Sequence, residues 1–151
     1  MSRISLICCP ADRFSVVEVS EGEGWRLGID PTRHPFFALI GGNGWAAELT
    51  RDELNTLWRA ISRLRRQYAE LVDQLMAEES LALELELPLS ASEPSGSLWV
   101  ALEGDRRDWS LRFVLSPGAG VRAFEGVWSL AASGPFAAAL EGLEGRLGPL
   151  D

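Results

Sequence analysis

Apolar residues are spaced so that two stretches of short strands are each followed by a helix. Four runs in the first stretch are rich in branched and aromatic residues and end at glycine, proline or acidic turns, which predicts strands. These runs are residues 14–19, 25–29, 36–40 and 45–49. The second stretch repeats this order, and its predicted strands are residues 81–87, 98–103, 109–115 and 121–130.

The long helix between the two stretches has the clearest pattern in the sequence. Thr50 and Glu53 have the spacing of a capping box, in which each side chain accepts a hydrogen bond from the backbone N–H of the other residue. From Leu54 to Met76, apolar residues recur every three or four positions. This spacing predicts one buried helical face over roughly thirty residues.

A second, shorter helix is predicted near the C-terminus. Ser133 is its predicted N-cap, and Pro135 lies in its first turn. Its apolar stripe consists of Phe136, Leu140, Leu143 and Leu147. The order of elements predicts an α+β fold of two β4-α halves, in which antiparallel sheets pack on a long central helix and a short C-terminal helix.

Residues 1–13 precede this pattern and are predicted to form an N-terminal arm or an extra strand. The apolar run from Ile4 to Cys9 is shorter than the core of a signal peptide and ends at Pro10. Cys8 and Cys9 are the only cysteines, and their adjacency provides neither an ordinary disulfide nor a metal-ligand spacing. We therefore expect a cytoplasmic protein with a single α+β domain over residues 14–151 and no membrane segment.

Several motifs occur together in this chain. Two glycine-tryptophan runs, residues 21–28 and 41–50, are followed by Glu78-Glu79 and by the segment from Trp109 to Phe113. With these motifs the sequence resembles, over about residues 14–143, a cyanobacterial family catalogued as domain of unknown function 1818. Members of that family are similar in fold to the Whirly proteins and other single-stranded-DNA-binding transcriptional regulators. The resemblance therefore implies a Whirly-like fold, although the lysine-containing motif near the Whirly DNA site has no counterpart in this lysine-free chain.

Composition and motifs provide little chemistry for catalysis. The apolar fraction of 46% and the charged fraction of 24% are those of an ordinary globular protein. His34 is the only histidine and precedes Pro35 in a polar loop, where we expect it to be exposed. The run from Gly41 to Gly44 joins two predicted strands and is interpreted as a hairpin turn, not as a phosphate loop. We predict that the protein is not an enzyme and needs neither a cofactor nor a metal.

The candidate binding residues are arginines that form local basic patches and tryptophans whose positions favour exposure. Three of the arginines share one face of the long predicted helix, two lie in a polar turn, and the tryptophans lie beside glycine turns or out of phase with apolar neighbours. The candidates are Trp25, Trp45, Arg59, Arg63, Arg66, Trp99, Arg106 and Arg107.

Two functions fit these residues. The first is a non-catalytic protein-interaction or assembly module in a cyanobacterium, with an unknown protein or a second copy of the chain as its partner. The second is a single-stranded DNA- or RNA-binding protein, in which arginines contact phosphates and tryptophans stack on bases. The net charge of −8 disfavours the second function, because nucleic-acid binding draws most of its free energy from phosphate neutralisation.

Overall fold

The computed structural model describes residues 3–8, 16–89 and 96–143. The elements of the first stretch are β1 (Arg3–Cys8), β2 (Val16–Gly22), β3 (Trp25–Ile29), β4 (Ala38–Gly42), β5 (Trp45–Leu49) and α1 (Arg51–Leu71), which continues into a 3₁₀ turn (Val72–Gln74). Those of the second stretch are β6 (Leu81–Pro88), β7 (Ser97–Gly104), β8 (Trp109–Ser116), β9 (Phe124–Trp128) and α2 (Leu130–Glu141).

The strands form two antiparallel sheets in simple sequential order. Sheet A has the order β1-β2-β3-β4-β5, and sheet B has the order β6-β7-β8-β9. This confirms the α+β fold of two antiparallel sheets with one long and one short helix. Residues Arg3–Cys8 pair with β2 and give sheet A a fifth strand, so this part of the N-terminal arm takes the extra-strand alternative.

The two helices cover the sheets in different ways. The predicted capping box of α1 is present, and its stripe of Leu54, Leu57, Ile61 and Leu64 is almost completely buried. This stripe packs on β6 and β7, on one face of sheet B. The helix α2 instead contacts β3 of sheet A and β8 of sheet B, so it lies between the sheets. A helix covered on two sides has apolar residues all round, which is why its sequence pattern is weak.

The helix α1 ends earlier than its apolar spacing predicts. It ends at Leu71, and Met76 is 73% exposed although it continues the apolar spacing. The side chain of Glu79 accepts a hydrogen bond from the backbone N–H of Met76 at 2.8 Å, which stabilises a turn that leads into β6. The apolar spacing therefore continues past the end of the helix.

The start of α2 also differs from the prediction. Its N-cap is Ser129, whose hydroxyl accepts the backbone N–H of Ala132 at 3.2 Å, and Pro135 lies inside the helix instead of in its first turn. Ser133 is completely buried, and its hydroxyl accepts the backbone N–H of Leu111 in β8 at 3.0 Å. The prediction that Ser133 is the N-cap is therefore wrong. Ser133 lies one turn inside α2, where its hydroxyl links the helix to sheet B. The predicted stripe residue Leu147 lies outside the described residues.

Strand ends shift by two or three residues from the predictions in several places. The strand β4 begins at Ala38 instead of Phe36, because the Phe37 carbonyl accepts the backbone N–H of Asp30 and closes the loop between β3 and β4. The strand β9 is limited to Phe124–Trp128, because a turn precedes it and the cap of α2 follows it directly. Phe14, in the first predicted strand, lies outside the described residues.

Two tryptophans bind the sheets to each other by reciprocal hydrogen bonds. The indole N–H of Trp45 in sheet A donates to the Val127 carbonyl of sheet B at 3.0 Å. The indole N–H of Trp128 in sheet B donates to the Gly41 carbonyl of sheet A at 2.9 Å. The two rings meet edge to face at 5.2 Å between centroids, and Trp128 stacks on Phe136 of α2 at 4.1 Å. We call this arrangement the tryptophan clamp.

Glycines make room for the indole rings of Trp25 and Trp45 at two hairpin turns of sheet A. The segments Gly22–Trp25 and Gly42–Trp45 have the same Gly-x-Gly-Trp sequence and form equivalent hairpin turns in sheet A. The second glycine of each turn has a positive φ, 79° at Gly24 and 77° at Gly44. A Cβ on the first glycine would overlap the indole ring of the following tryptophan. The motif therefore serves to fold each tryptophan back over its own hairpin.

A pair of glycine substitutions tests the packing of the clamp. A Cβ at Gly126 would lie 2.7 Å from a Phe113 ring atom and 2.8 Å from a Trp45 ring atom, whereas one at Gly134 in α2 would meet nothing within 4 Å. We expect Gly126→Ala to lower the free energy of unfolding by about 1–3 kcal/mol. We expect Gly134→Ala to raise it by up to ~1 kcal/mol, because alanine favours the helix. Urea unfolding of both variants measures the difference, and equal effects would contradict the close packing at Gly126.

Candidate functional site

Trp25 is not available to a partner. Its side chain is only 5% exposed, and its ring meets the Phe136 ring of α2 edge to face at 6.5 Å. The expectation of exposure from the neighbouring glycine turn is wrong for Trp25. The glycine at position 22 lets the indole fold back towards α2 instead of projecting from the turn.

Trp45 is half-buried and already engaged. Its ring lies 5.5 Å from Phe113 and 5.9 Å from Phe124, and its N–H is held by the tryptophan clamp. A partner would have to break contacts between the sheets to use this side chain. Trp45 is therefore a structural residue, and its place beside a glycine turn reflects the motif described above.

Trp99 lies on the face of sheet B that the helices leave uncovered. Its neighbours Leu98 and Val100 point to the opposite face and are buried, while Trp99 itself is half-exposed. The Arg112 guanidinium lies 5.2 Å from the centre of the Trp99 ring. Such a cation over an indole face is favourable and holds the ring in one orientation.

Carboxylates dominate the surface around Trp99. Glu86 is paired with Trp99 across β6 and β7, and Glu125 is paired with Val114 across β8 and β9. Together with Arg112 and Val127, these residues form a surface that we call the acidic face. Its exposed carboxylates are Glu84, Glu86, Glu103 and Glu125. The sequence shows that Glu84 and Glu86 alternate with leucines. It does not show that residues from four neighbouring strands lie around Trp99.

The arginines of α1 lie on the other side of sheet B from Trp99. Arg63 and Arg66 are exposed, and Arg59 is half-buried, with its guanidinium donating to the Thr56 hydroxyl at 3.4 Å. Because α1 packs on the face of sheet B that carries Leu98 and Val100, the sheet separates these arginines from Trp99. The structure therefore does not assemble the basic and aromatic candidates into one groove.

The exposed turn with Arg106 and Arg107 is tied to the end of α1. The Asp105 carboxylate accepts the backbone N–H of Arg107 at 2.7 Å and that of Asp108 at 3.1 Å, which holds the pKa of Asp105 below its ordinary value. The Tyr68 hydroxyl of α1 donates to the Asp105 carbonyl. Burial raises the pKa of Tyr68, and the nearby carboxylates add to this effect. Arg106 and Arg107 thus lie at the C-terminal end of α1, away from Trp99.

A pocket that sequence reasoning missed lies between α1 and the end of α2. Its volume is about 450 Å³, and it is lined by Trp58, Ser62, Arg65, Arg66 and Glu141. Arg65 forms an ion pair with Glu141, and its guanidinium also lies 5.4 Å from the centre of the Trp109 ring. We call this the interhelical pocket. The spacing of its residues on α1 was visible in the sequence, but only the fold brings Glu141 to them.

Buried polar atoms without a partner lie along the same side of α1. They are the Asn55 Oδ1, Trp58 Nε1 and Ser62 Oγ atoms, none of which has a hydrogen-bond partner in the described part of the chain. Thr56 on the same helix is different, because its hydroxyl donates to the Asp52 carbonyl at 2.8 Å. Leaving a buried polar group unpaired costs about 1–3 kcal/mol, so such groups need an explanation.

Metal-ligand groups and membrane-spanning helices are both absent from the described residues. Across residues 3–8, 16–89 and 96–143, no group of three or more His, Cys, Asp or Glu side chains is placed to hold a metal ion. In the same ranges, no helix has the length and apolar character to cross a membrane. His34 is exposed, as predicted.

The fold and these surfaces define an α+β protein with two antiparallel sheets, one of which has an uncovered, carboxylate-rich face. Residues 20–143 match the family described as Domain of unknown function (DUF1818). The chain belongs to this family, as its glycine-tryptophan motifs imply. No curated protein matches the chain.

A solved structure similar to this one is that of a protein with unknown function from DUF155 family from Prochlorococcus sp. NATL2A. The two chains are 34% identical, and the match covers 82% of this chain and 95% of the other. The TM-score is 0.70. The arrangement of sheets and helices is therefore shared with a protein that is described as having unknown function.

Two serine-to-alanine substitutions test the difference between paired and unpaired buried hydroxyls. We expect Ser133→Ala to lower the free energy of unfolding by about 1–3 kcal/mol, because the Leu111 N–H loses its acceptor. We expect Ser62→Ala to leave it unchanged or to raise it by up to ~1 kcal/mol, because an unpaired hydroxyl is removed and alanine favours the helix. Thermal and urea unfolding measure both values. A loss at Ser62 as large as that at Ser133 would show that Ser62 is paired within the protein.

Proposed function

We propose that this chain is a non-catalytic protein-binding module whose acidic face contacts a cationic surface of a partner protein. The observation that supports this most is the half-exposed Trp99, held by Arg112 and bordered by glutamates on a sheet face that no described element covers. Tryptophan and arginine are the residues that most often dominate binding energy in protein interfaces.

The charge of the acidic face indicates the charge of the partner surface that it can bind. Glu84, Glu86, Glu103 and Glu125 surround a single guanidinium, that of Arg112, so the face attracts lysines and arginines. Two copies of this face would repel each other, which makes a second copy of the chain the weaker candidate partner. The Prochlorococcus origin of the similar structure supports a cyanobacterial setting for the interaction.

The position of the single histidine supports the non-catalytic part of the proposal. The single histidine, His34, is exposed in the loop between β3 and β4. Acid–base and nucleophilic catalysis most often use a histidine that the fold holds in a pocket, and an exposed loop histidine is not held in this way. We therefore infer a role in binding instead of a chemical reaction.

Single-stranded nucleic acid is the second candidate ligand, and the arginines along α1 favour it. Arg63 and Arg66 are exposed on this helix, and Arg106 and Arg107 lie in the turn that Tyr68 holds at its end. These arginines, however, face away from Trp99, and the net charge of the protein is −8. A strand of nucleic acid would gain phosphate contacts there without the stacking platform that such proteins use.

Titration of two labelled probes distinguishes the candidates. An oligolysine peptide represents a cationic partner, single-stranded oligothymidine represents nucleic acid, and fluorescence anisotropy reports the binding of each. We expect the peptide to bind and to lose about tenfold in affinity in Glu86→Gln/Glu125→Gln, since removing close charge pairs typically costs about 1.4 kcal/mol or more. The matched control is Glu70→Gln/Glu78→Gln, which removes the same charge from exposed positions outside the acidic face.

The outcomes separate the two functions. An equal loss in both double variants would show a response to net charge alone and would contradict a site at the acidic face. Salt-sensitive binding of the oligonucleotide that disappears in Arg59→Glu/Arg63→Glu would favour the nucleic-acid function instead.

A further inference from the structure

The interhelical pocket has the chemistry of a ligand site that is separate from the acidic face. Trp58, Ser62 and Arg66 are spaced by four residues, so they form one ridge along α1. The indole N–H and the guanidinium only donate hydrogen bonds, and the serine hydroxyl can donate one as well. Three donors in a row along one wall favour an acceptor-rich group in the pocket.

The charges around the interhelical pocket also favour an acceptor-rich, anionic group. The carboxylate of Glu141 is paired with Arg65, which in turn is fixed against the Trp109 ring. Arg66 is exposed and forms no salt bridge with the described residues, so the pocket lining has two guanidinium groups and one carboxylate. The pocket therefore has a local positive character although the protein as a whole is acidic.

We propose that the interhelical pocket binds the oxyanion group of a small organic ligand, either a carboxylate or a phosphate. Trp58 and Ser62 line the pocket, and their Nε1 and Oγ atoms are buried without a hydrogen-bond partner among the described residues. Arg65 and Arg66 line the same pocket. In the proposed complex, the exposed Arg66 side chain and the Ser62 hydroxyl reorient so that both, together with the Trp58 N–H, donate to the oxyanion.

The size and walls of the pocket indicate more than a bare ion. A volume of about 450 Å³ lies within the range of roughly 300–1,000 Å³ that is typical of small-molecule sites. Trp58 lines the pocket and is only partly buried, so its side chain supplies apolar surface for the body of the ligand, next to the donors that hold its charged end. A small aromatic or aliphatic acid, or a phosphate ester of similar size, has this combination.

Indole N–H resonances provide the direct test. The six tryptophans give separate side-chain signals in a ¹H-¹⁵N correlation spectrum, and the signal of Trp58 is assigned by its loss in Trp58→Phe. The probes are benzoate, phenyl phosphate and the neutral benzamide, titrated at constant ionic strength. We expect a saturable downfield shift of the Trp58 signal with at least one of the two anions and none with benzamide.

Variants tie the shift to the pocket. Ser62→Ala/Arg66→Gln removes the serine donor and the guanidinium charge, and we expect its apparent Kd to rise about tenfold or more. The matched control is Arg63→Gln, which removes the same charge from an exposed position of α1 that does not line the pocket. This control should bind as the parent protein does.

Each outcome decides the proposal. A shift with benzoate alone identifies a carboxylate site, a shift with phenyl phosphate alone identifies a phosphate site, and a shift with both identifies a general oxyanion site. The proposal is overturned by the absence of any saturable Trp58 shift, by an equal shift with benzamide, or by an equal loss in Arg63→Gln. None of these results depends on what binds the acidic face.

Discussion

The tryptophan clamp is the interaction on which the arrangement of the sheets depends. Trp45 and Trp128 donate across the interface in opposite directions, so each sheet supplies both a donor and an acceptor. Phe113 and Phe136 pack on the Trp128 ring, at 5.3 Å and 4.1 Å between centroids. Each hydrogen bond contributes about 0.5–1.5 kcal/mol and each aromatic pair a similar amount, so the cluster is a substantial part of a typical domain's stability.

The clamp also decides which surfaces remain for function. It uses the indoles of Trp45, which follows a glycine turn, and of Trp128 in β9, while α2 lies between the sheets and contacts Trp25. Because α1 covers one face of sheet B, the aromatic side chain left on its other face is Trp99, among carboxylates. The polar side of α1 is left to form the interhelical pocket. The acidic face and the interhelical pocket thus result from the way α1 and α2 pack on the two sheets.

The sequence predicted features that depend on neighbouring residues. Its predictions failed where contacts between residues distant in sequence determine the structure. The capping box of Thr50 and Glu53 and the hairpin at Asn43-Gly44 depend on neighbouring residues, so the sequence identified both. The burial of Trp25 depends on α2, which is distant in sequence, and the role of Ser133 depends on its contact with Leu111 in β8. The interhelical pocket was invisible for the same reason, because it requires two helices to meet.

Hydrogen exchange at the indole N–H groups tests the central claim that the clamp fixes the sheets and leaves the Trp99 face free. Trp128 is completely buried and bonded to the Gly41 carbonyl, whereas Trp99 is half-exposed. In deuterated buffer, we predict that the Trp128 signal persists until global unfolding, while the Trp99 signal is lost orders of magnitude sooner. Loss of the Trp128 signal as fast as that of Trp99 would show that the sheets separate without unfolding and would contradict the account.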